Sequence, residues 1–270
     1  MLKADQVFAG SIPENYDRHM VPLIFEPYAG DLARRVVSFS PGAVLEIAAG
    51  TGVVTRALAP RLSPDAKYVV TDLNQPMLDY AASRQEPDHR VTWRQADALA
   101  LPFEDAAFDL VCCQFGAMFF PDRVAAYGEA KRVLKPGGHF LFSVWDRIEE
   151  NVLANEVTNA LAEVFPNDPP RFLVRTPHGY HDRELIRSDV ENAGFSHIEI
   201  DTRAEQSRAS SPMLPAVAYC KGTVLRTEIE ARDAGKLDAA TDYVARAIAE
   251  KHGQGEIVAK IQAHIILAMA

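Results

Sequence analysis

Short apolar runs alternate with segments of helical periodicity through the first half of this sequence, and that alternation limits the fold more than any other feature. Residues 43–48 (AVLEIA), 68–72 (YVVTD), 91–95 (VTWRQ), 108–113 (FDLVCC) and 139–145 (HFLFSVW) read as strands. Apolar runs such as AVLEIA and YVVTD, without polar alternation, suit strands covered on both faces. Residues 53–62, 75–84 and 123–134 carry helical spacing. Pro76 falls in a first turn, where proline is tolerated, and Pro136-Gly137-Gly138 stops the third of these helices. An earlier helix, marked by Leu32, Val36 and Phe39, ends at Pro41-Gly42. Strands alternating with helices of this length predict right-handed crossovers and a parallel sheet.

Beyond Trp145 the pattern changes. Residues 151–165 predict an amphipathic helix, followed by the proline-rich stretch PNDPPRFLVRTP. A further helix over 183–195 has Gly194 as its C-terminal stop, and 197–201 (HIEID) reads as a sixth strand. Helical stretches follow at 212–232 and 236–252, the second ending at Gly253. The tail, 257–270, suits a last antiparallel strand, with a helix as its competitor. No internal repeat and no long flexible linker interrupts the chain, so a single domain with helical additions is expected.

Composition removes whole classes of function. The 270 residues carry 28 Lys+Arg against 37 Asp+Glu, a formal charge of −9, with 48% apolar residues. That content excludes disorder as the dominant state. The acidic balance argues against a surface that tracks phosphates. No run of 18 apolar residues predicts a membrane span, and the start, MLKADQVFAGSIPEN, lacks the basic-then-apolar pattern of a secretory signal. Cys112, Cys113 and Cys220 make no disulfide framework, which places the expected location in a reducing cytoplasm.

The chemistry concentrates in Val44-Leu45-Glu46-Ile47-Ala48-Ala49-Gly50-Thr51-Gly52. An acid ends a strand, small residues make a tight turn, and a helix begins. Gly50 and Gly52 permit backbone conformations closed to other residues and a close ligand approach, and free amides at the helix start would favour an anion. Asp72 ends the second strand about twenty residues later, where a carboxylate can accept hydrogen bonds from ribose hydroxyls. A nicotinamide dinucleotide and S-adenosylmethionine both fit such a pair. The turn separates them: positions 48, 50, 52 and 55 read Ala48, Gly50, Gly52 and Thr55, not G-x-G-x-x-G, and Glu46 would repel a pyrophosphate. An acid there suits the α-ammonium of S-adenosylmethionine. Asp97 and Ala98, after the third strand, are placed for the adenine edge, and Leu73 and Met77 for its apolar walls. Gln114 and Phe115 end the fourth strand, where the sheet order would reverse and ligands bind. Cys112 and Cys113 read as core residues of that strand.

These segments resemble the class I S-adenosylmethionine-dependent methyltransferases, in the branch of the ubiquinone/menaquinone C-methyltransferases. VLEIAAGTG (44–52), VVTDLNQPML (69–78), QADALALPFEDAAFDLV (95–111) and RVLKPGGHFLFSVWD (132–146) carry the resemblance. It implies a Rossmann-like α/β fold, a seven-stranded sheet ordered 3-2-1-4-5-7-6 with strand seven antiparallel. It implies a donor site lined by Glu46, Ala48, Gly50, Thr51, Asp72, Leu73, Met77, Asp97, Ala98 and Gln114, to which the turn adds Gly52 and the end of strand four adds Phe115. Ala48 stands where this family usually has glycine, which predicts a slightly altered turn and not lost binding. The donor-binding core is expected over about 41–146, 195–203 and 256–270, with helical cap elements at about 1–30, 151–182 and 204–255. The N-terminal stretch resembles a helix folded over the donor, with Tyr16 near the sulfonium or carboxylate.

The expected activity is methyl transfer to a small, apolar or aromatic acceptor in a monomer or homodimer, without nucleic acid or metal. A non-catalytic S-adenosylmethionine sensor and a protein or RNA methyltransferase are the alternatives; a nicotinamide-linked dehydrogenase is disfavoured by Thr55 and Glu46. His178 and His181, with Asp182, have metal-like spacing but read as solvated polar residues of a proline-rich loop, because a metal site needs three or four convergent ligands. His19 is a candidate acceptor-site base, but a lone histidine near a tyrosine reads as structural. No residue stands out as a base, which is compatible with catalysis by positioning.

Overall fold

A computed structural model describes residues 12–270. Its strands, β1 (Ala43–Glu46), β2 (Lys67–Asp72), β3 (Val91–Gln95), β4 (Phe108–Gln114), β5 (Leu134–Trp145), β6 (Ser196–Ala209) and β7 (Ile257–Met269), form one sheet in the order β3-β2-β1-β4-β5-β7-β6. The first five pair in parallel, and β7 runs antiparallel to both β5 and β6. The order implied by the resemblance is therefore the order observed, and the tail is a strand. Every residue of β1 is buried, as expected of a central parallel strand covered on both faces.

Helices α3 (Val53–Leu58), α4 (Gln75–Arg84) and α5 (Arg123–Val133) make crossover connections, and α2 (Glu26–Ser38), α6 (Val152–Val164) and α8 (Arg183–Asn192) add further cover. The caps follow the sequence: Asp122 accepts the amide of Ala125 at the start of α5, and Asp182 accepts those of Glu184 and Leu185 at the start of α8. Cys112 and Cys113 are fully buried in β4, and burial pushes the Cys113 thiol up to about 12.

Some boundaries differ from the sequence reading. Residues 53–62 do not stay α-helical: Pro60 falls in a 3-10 turn, Ala59–Arg61, beyond α3. The sixth strand does not end at 201. It continues to Ala209, paired with β7 throughout, so residues 204–209 belong to the sheet and not to the helical insertion. The helical stretch 212–232 is broken into α9 (Met213–Gly222) and α10 (Leu225–Arg232). Thr223 is extended there, and its hydroxyl accepts the amide of Leu225, so a capping threonine beats helical continuity.

Preceding α2, the chain is α-helical over α1 (Ile12–Asn15) and π-helical over Tyr16–Phe25. Pro22 explains the wider winding. It has no amide hydrogen, and its ring would crowd the carbonyl four residues back in an α-helix. The residues of the expected N-terminal cap before Ile12 lie outside the described residues.

Candidate active site

The sheet order reverses at β1, which lies between β2 and β4, and the crevice there opens at the carboxyl ends of these strands. Glu46 ends β1 and is 1% exposed. The backbone then leaves the sheet while still tied to both neighbours: the Ile47 amide donates to Cys112 O and the Ala49 amide to Thr71 O. Ala48, Gly50 and Gly52 all adopt left-handed backbone conformations, with φ of 54°, 58° and 79°. For Ala48 this costs about 1–2 kcal/mol relative to glycine, so the family's usual residue is the unstrained one.

The amides of this turn are not all free for an anion, as the sequence reading expected. Gly50 donates to Asp72 Oδ2 at 2.9 Å and Gly52 to Ala49 O at 3.0 Å. Gly52 is also the one residue of the expected donor set that does not line the cavity described below. A Cβ there would stand 3.0 Å from Ala81 Cβ, so Gly52 serves the approach of the turn to α4.

Glu46 receives two hydrogen bonds on a single oxygen, Oε2, from Thr55 Oγ1 at 2.7 Å and from the Tyr68 hydroxyl. Burial raises its carboxyl to about 7, against the lowering effect of those two donors. Asp72 accepts the Asn74 amide on Oδ1 at 2.8 Å and the Gly50 amide on Oδ2; burial raises its pKa as well. Asp97, at the end of a short link after β3, is exposed and accepts the Leu99 amide.

Twelve residues of the expected set, Tyr16, Glu46, Ala48, Gly50, Thr51, Asp72, Leu73, Met77, Asp97, Ala98, Gln114 and Phe115, line one cavity. The π-helix roofs it with Tyr16, Met20 and Ile24 at four-residue spacing, and Tyr16 stacks on Phe25 with ring centroids 5.2 Å apart. Phe115, itself at φ 53°, lies flat on Trp145 at 3.8 Å and 5°.

The cavity continues past this stack into a second half that the sequence reading did not assign. Its walls include Phe25, Phe119, Trp145, Phe172 of α7 (Phe172–Arg175) and Tyr219 of α9. His178 belongs to it too, and is not the solvated loop residue expected: it is 6% exposed. Its Nδ1 lies 2.8 Å from the Asp146 carbonyl, which can only accept, so the ring proton sits on Nδ1. Burial pushes its pKa down to about 4. His181 Nδ1 instead meets the His178 carbonyl, and Asp182 caps α8, so the three do not converge on a metal position. No group of three or more His, Cys, Asp and Glu side chains able to hold a metal ion occurs among the described residues. His19 is half-buried on the π-helix and does not line the cavity. Trp145 was legible as the last residue of a strand beside the switch point; nothing in the sequence marked Phe172 or Tyr219.

Residues 45–142 match the family model Methyltransf_11, described as a methyltransferase domain. The ubiquinone/menaquinone biosynthesis C-methyltransferase UbiE of Burkholderia mallei is 34% identical over 167 residues, which cover 58% of this chain and 69% of that protein. The chain belongs to the class I S-adenosylmethionine-dependent methyltransferases. As a member it is an enzyme, and its methyl donor is S-adenosylmethionine. Solved structures agree on the fold of these methyltransferases. The YcgJ protein of Bacillus subtilis superposes with a TM-score of 0.56 at 19% identity, covering 90% of this chain and 98% of that one. Phosphoethanolamine N-methyltransferase 2 of Haemonchus contortus, solved with S-adenosyl-L-methionine, gives 0.53 at 20% identity, covering 88% of this chain and 52% of that one. No helix of the described residues is long and apolar enough to cross a membrane.

Proposed function

We propose that this enzyme transfers the methyl group of S-adenosylmethionine to a small apolar or aromatic molecule enclosed in the second half of the cavity. The observation that carries the reading is the continuity of one cavity from the acidic strand ends to a wall of Phe25, Phe119, Trp145, Phe172 and Tyr219. A protein segment or an RNA strand would need an open groove leading to the cavity. Here residues of the π-helix, α7 and α9 line the cavity, which supports reading the described parts of the helical elements at about 1–30, 151–182 and 204–255, strand residues 204–209 excepted, as a cap over the acceptor.

The residues at the strand ends fit the donor. Two buried polar atoms of the cavity wall, Thr51 Oγ1 and Gln114 Oε1, have no hydrogen-bond partner. A buried polar atom left unpaired is costly, and a zwitterionic amino acid supplies both missing complements: a carboxylate for the hydroxyl and an ammonium for the amide oxygen. Glu46 adds a carboxylate whose Oε1 is left over for that ammonium. Asp72 and Asp97 would hold the ribose and the adenine amino group, with Leu73, Met77 and Ala98 along the base. Bound there, the donor presents an activated methyl group, and the protein's part is to orient the acceptor and keep the site dry.

Calorimetry with S-adenosylhomocysteine, followed by methyl transfer from labelled donor to a panel of apolar aromatic compounds, tests the reading. Donor-product binding with transfer to a panel member supports it. Binding with transfer only to RNA or protein would replace the acceptor class, and binding with no transfer to anything would favour the sensor.

A further inference from the structure

The acceptor half of the cavity holds a single imidazole, and its environment is unlike that of the other titratable groups there. His178 lies beyond the Phe115–Trp145 stack, with its ring centroid 6.1 Å from that of Trp145. Its Nδ1–H is held by the Asp146 carbonyl, a group fixed in turn: that carbonyl is 3.3 Å from Asn151 Nδ2, and the Asp146 carboxylate accepts Gln262 Nε2 at 2.6 Å and the Arg147 amide at 2.7 Å. The ring is thus set in one tautomer and one orientation. Nε2, the nitrogen left with its lone pair, has no hydrogen-bond partner among the described residues, on a side chain that lines the cavity.

We propose that Nε2 of His178 is the proton acceptor for the methylation, and that the acceptor is a planar aromatic or enolic molecule carrying an ionisable hydroxyl. This rests on the methyltransferase reading above and adds the chemical class of the substrate and the catalytic residue. Trp145 and Phe172 wall the space that takes the ring, and the hydroxyl points its hydrogen at Nε2. As the hydroxyl oxygen forms its bond to the methyl carbon, the sulfur–methyl bond breaks with its electron pair remaining on sulfur, and the O–H proton passes to Nε2. Imidazolium then returns that proton to water once the cavity opens. A weakly basic ring suffices, because a hydroxyl oxygen that is gaining a methyl group becomes strongly acidic. Titratable groups facing the ring are Asp146 and Glu149, which favour its protonation, and His181, which opposes it; burial outweighs them, so the lone pair is available throughout the neutral range.

The test uses the full chain saturated with S-adenosylhomocysteine and two probes, 4-methylphenol, which keeps its hydroxyl hydrogen at pH 7, and 4-methylanisole, which carries a methyl group in place of that hydrogen. Calorimetry is expected to show the phenol binding about 3- to 10-fold more tightly than the anisole, as one hydrogen bond to a neutral acceptor allows. His178→Asn, which can keep a donor near Asp146 O but has no Nε2, is expected to bind both alike. Nitrogen NMR of the wild-type imidazole gives a second readout that needs no variant: a neutral ring protonated at Nδ1 at pH 7, whose Nε2 resonance moves with the phenol and not with the anisole. Equal affinity of the two probes, binding of neither, a preference that survives in a folded His178→Asn, or a proton found on Nε2 would overturn the proposal. If S-adenosylhomocysteine itself fails to bind, it is the methyltransferase reading that fails.

Discussion

A methyl group placed on Gly116 would stand 2.4 Å from Cβ of Ala48, closer than two non-bonded carbon atoms can approach. The alanine that replaces the family's usual glycine in the donor turn is thus accommodated by an absent side chain across the crevice, and Ala48 in its left-handed conformation fills the space that a residue at 116 would otherwise need.

Gly116→Ala is accordingly expected to lower stability by about 1–3 kcal/mol through overpacking. Adding Ala48→Gly to it removes both the clash and the left-handed strain, so the double variant recovers part of the loss, with a coupling of at least about 1 kcal/mol. Recovery stays incomplete because Cys113 Sγ also lies 2.8 Å from the added methyl. Denaturant unfolding of the four proteins measures the coupling, and strictly additive losses would contradict the contact.

The proposed contact of Glu46 with the donor's ammonium makes donor affinity depend on pH. With its carboxyl raised to about 7 by burial, it is largely protonated in the empty crevice below that pH, yet an ammonium beside it requires the ionised form. Affinity for S-adenosylhomocysteine is therefore expected to be level above about pH 7.5 and to fall by up to about tenfold per pH unit below 7. Glu46→Gln is expected to bind at least about tenfold more weakly at pH 8, and without that slope. Calorimetry from pH 5.5 to 8 decides the matter; a level wild-type profile would remove Glu46 from the ammonium's contacts.

The crevice proposed for the donor was legible in the sequence because its features are local: Glu46, the small-residue turn and Asp72 lie within one strand–helix–strand unit, and the spacing that makes the fold also brings these residues to one cavity. The acceptor half was not, because it is assembled from distant segments. Trp145, His178 and Tyr219 belong to β5, to the loop before α8 and to α9, and no periodicity links them. His178 looked solvated in its proline-rich loop, but burial there comes from contacts with β5 that spacing does not encode. Likewise the charged alternation of residues 202–209 hid a strand, since on an edge strand such as β6 the exposed face carries charge without loss of pairing.

Asp17 latches the roof. It receives Arg56 Nη2 at 2.8 Å, with Tyr80 OH at 3.5 Å and Arg84 at 3.8 Å, so one carboxylate ties the π-helix to α3 and α4. Arg56 also donates to the carbonyl of Thr51, which couples the latch to the donor turn. A partly buried pair of this kind contributes about 1 kcal/mol. Asp17→Asn is expected to speed dissociation of S-adenosylhomocysteine about 3- to 10-fold with little change in its association rate, measured by stopped-flow displacement. An unchanged dissociation rate would show that the roof is held by its apolar packing alone.

His178 and Glu46 bias stability in opposite directions across the same pH range. Burial lowers the imidazole from 6.5 to about 4, so as pH falls from about 6.5 the unfolded chain takes a proton that the native ring refuses, and the native state loses about 3 kcal/mol by pH 4. Burial raises the Glu46 carboxyl from 4.5 to about 7, so as pH rises from about 4.5 the unfolded chain releases a proton that the native carboxyl keeps, and the native state loses about 3 kcal/mol by pH 7. Between pH 4.5 and 6.5 the two slopes offset in the wild type. Removing one leaves the other exposed: relative to wild type, His178→Asn should gain about 1.4 kcal/mol for each unit of acidification in that window, and Glu46→Gln should lose as much. Urea unfolding of the three proteins at half-unit steps measures both trends, and parallel profiles for wild type and His178→Asn would mean that the ring is not held neutral by burial.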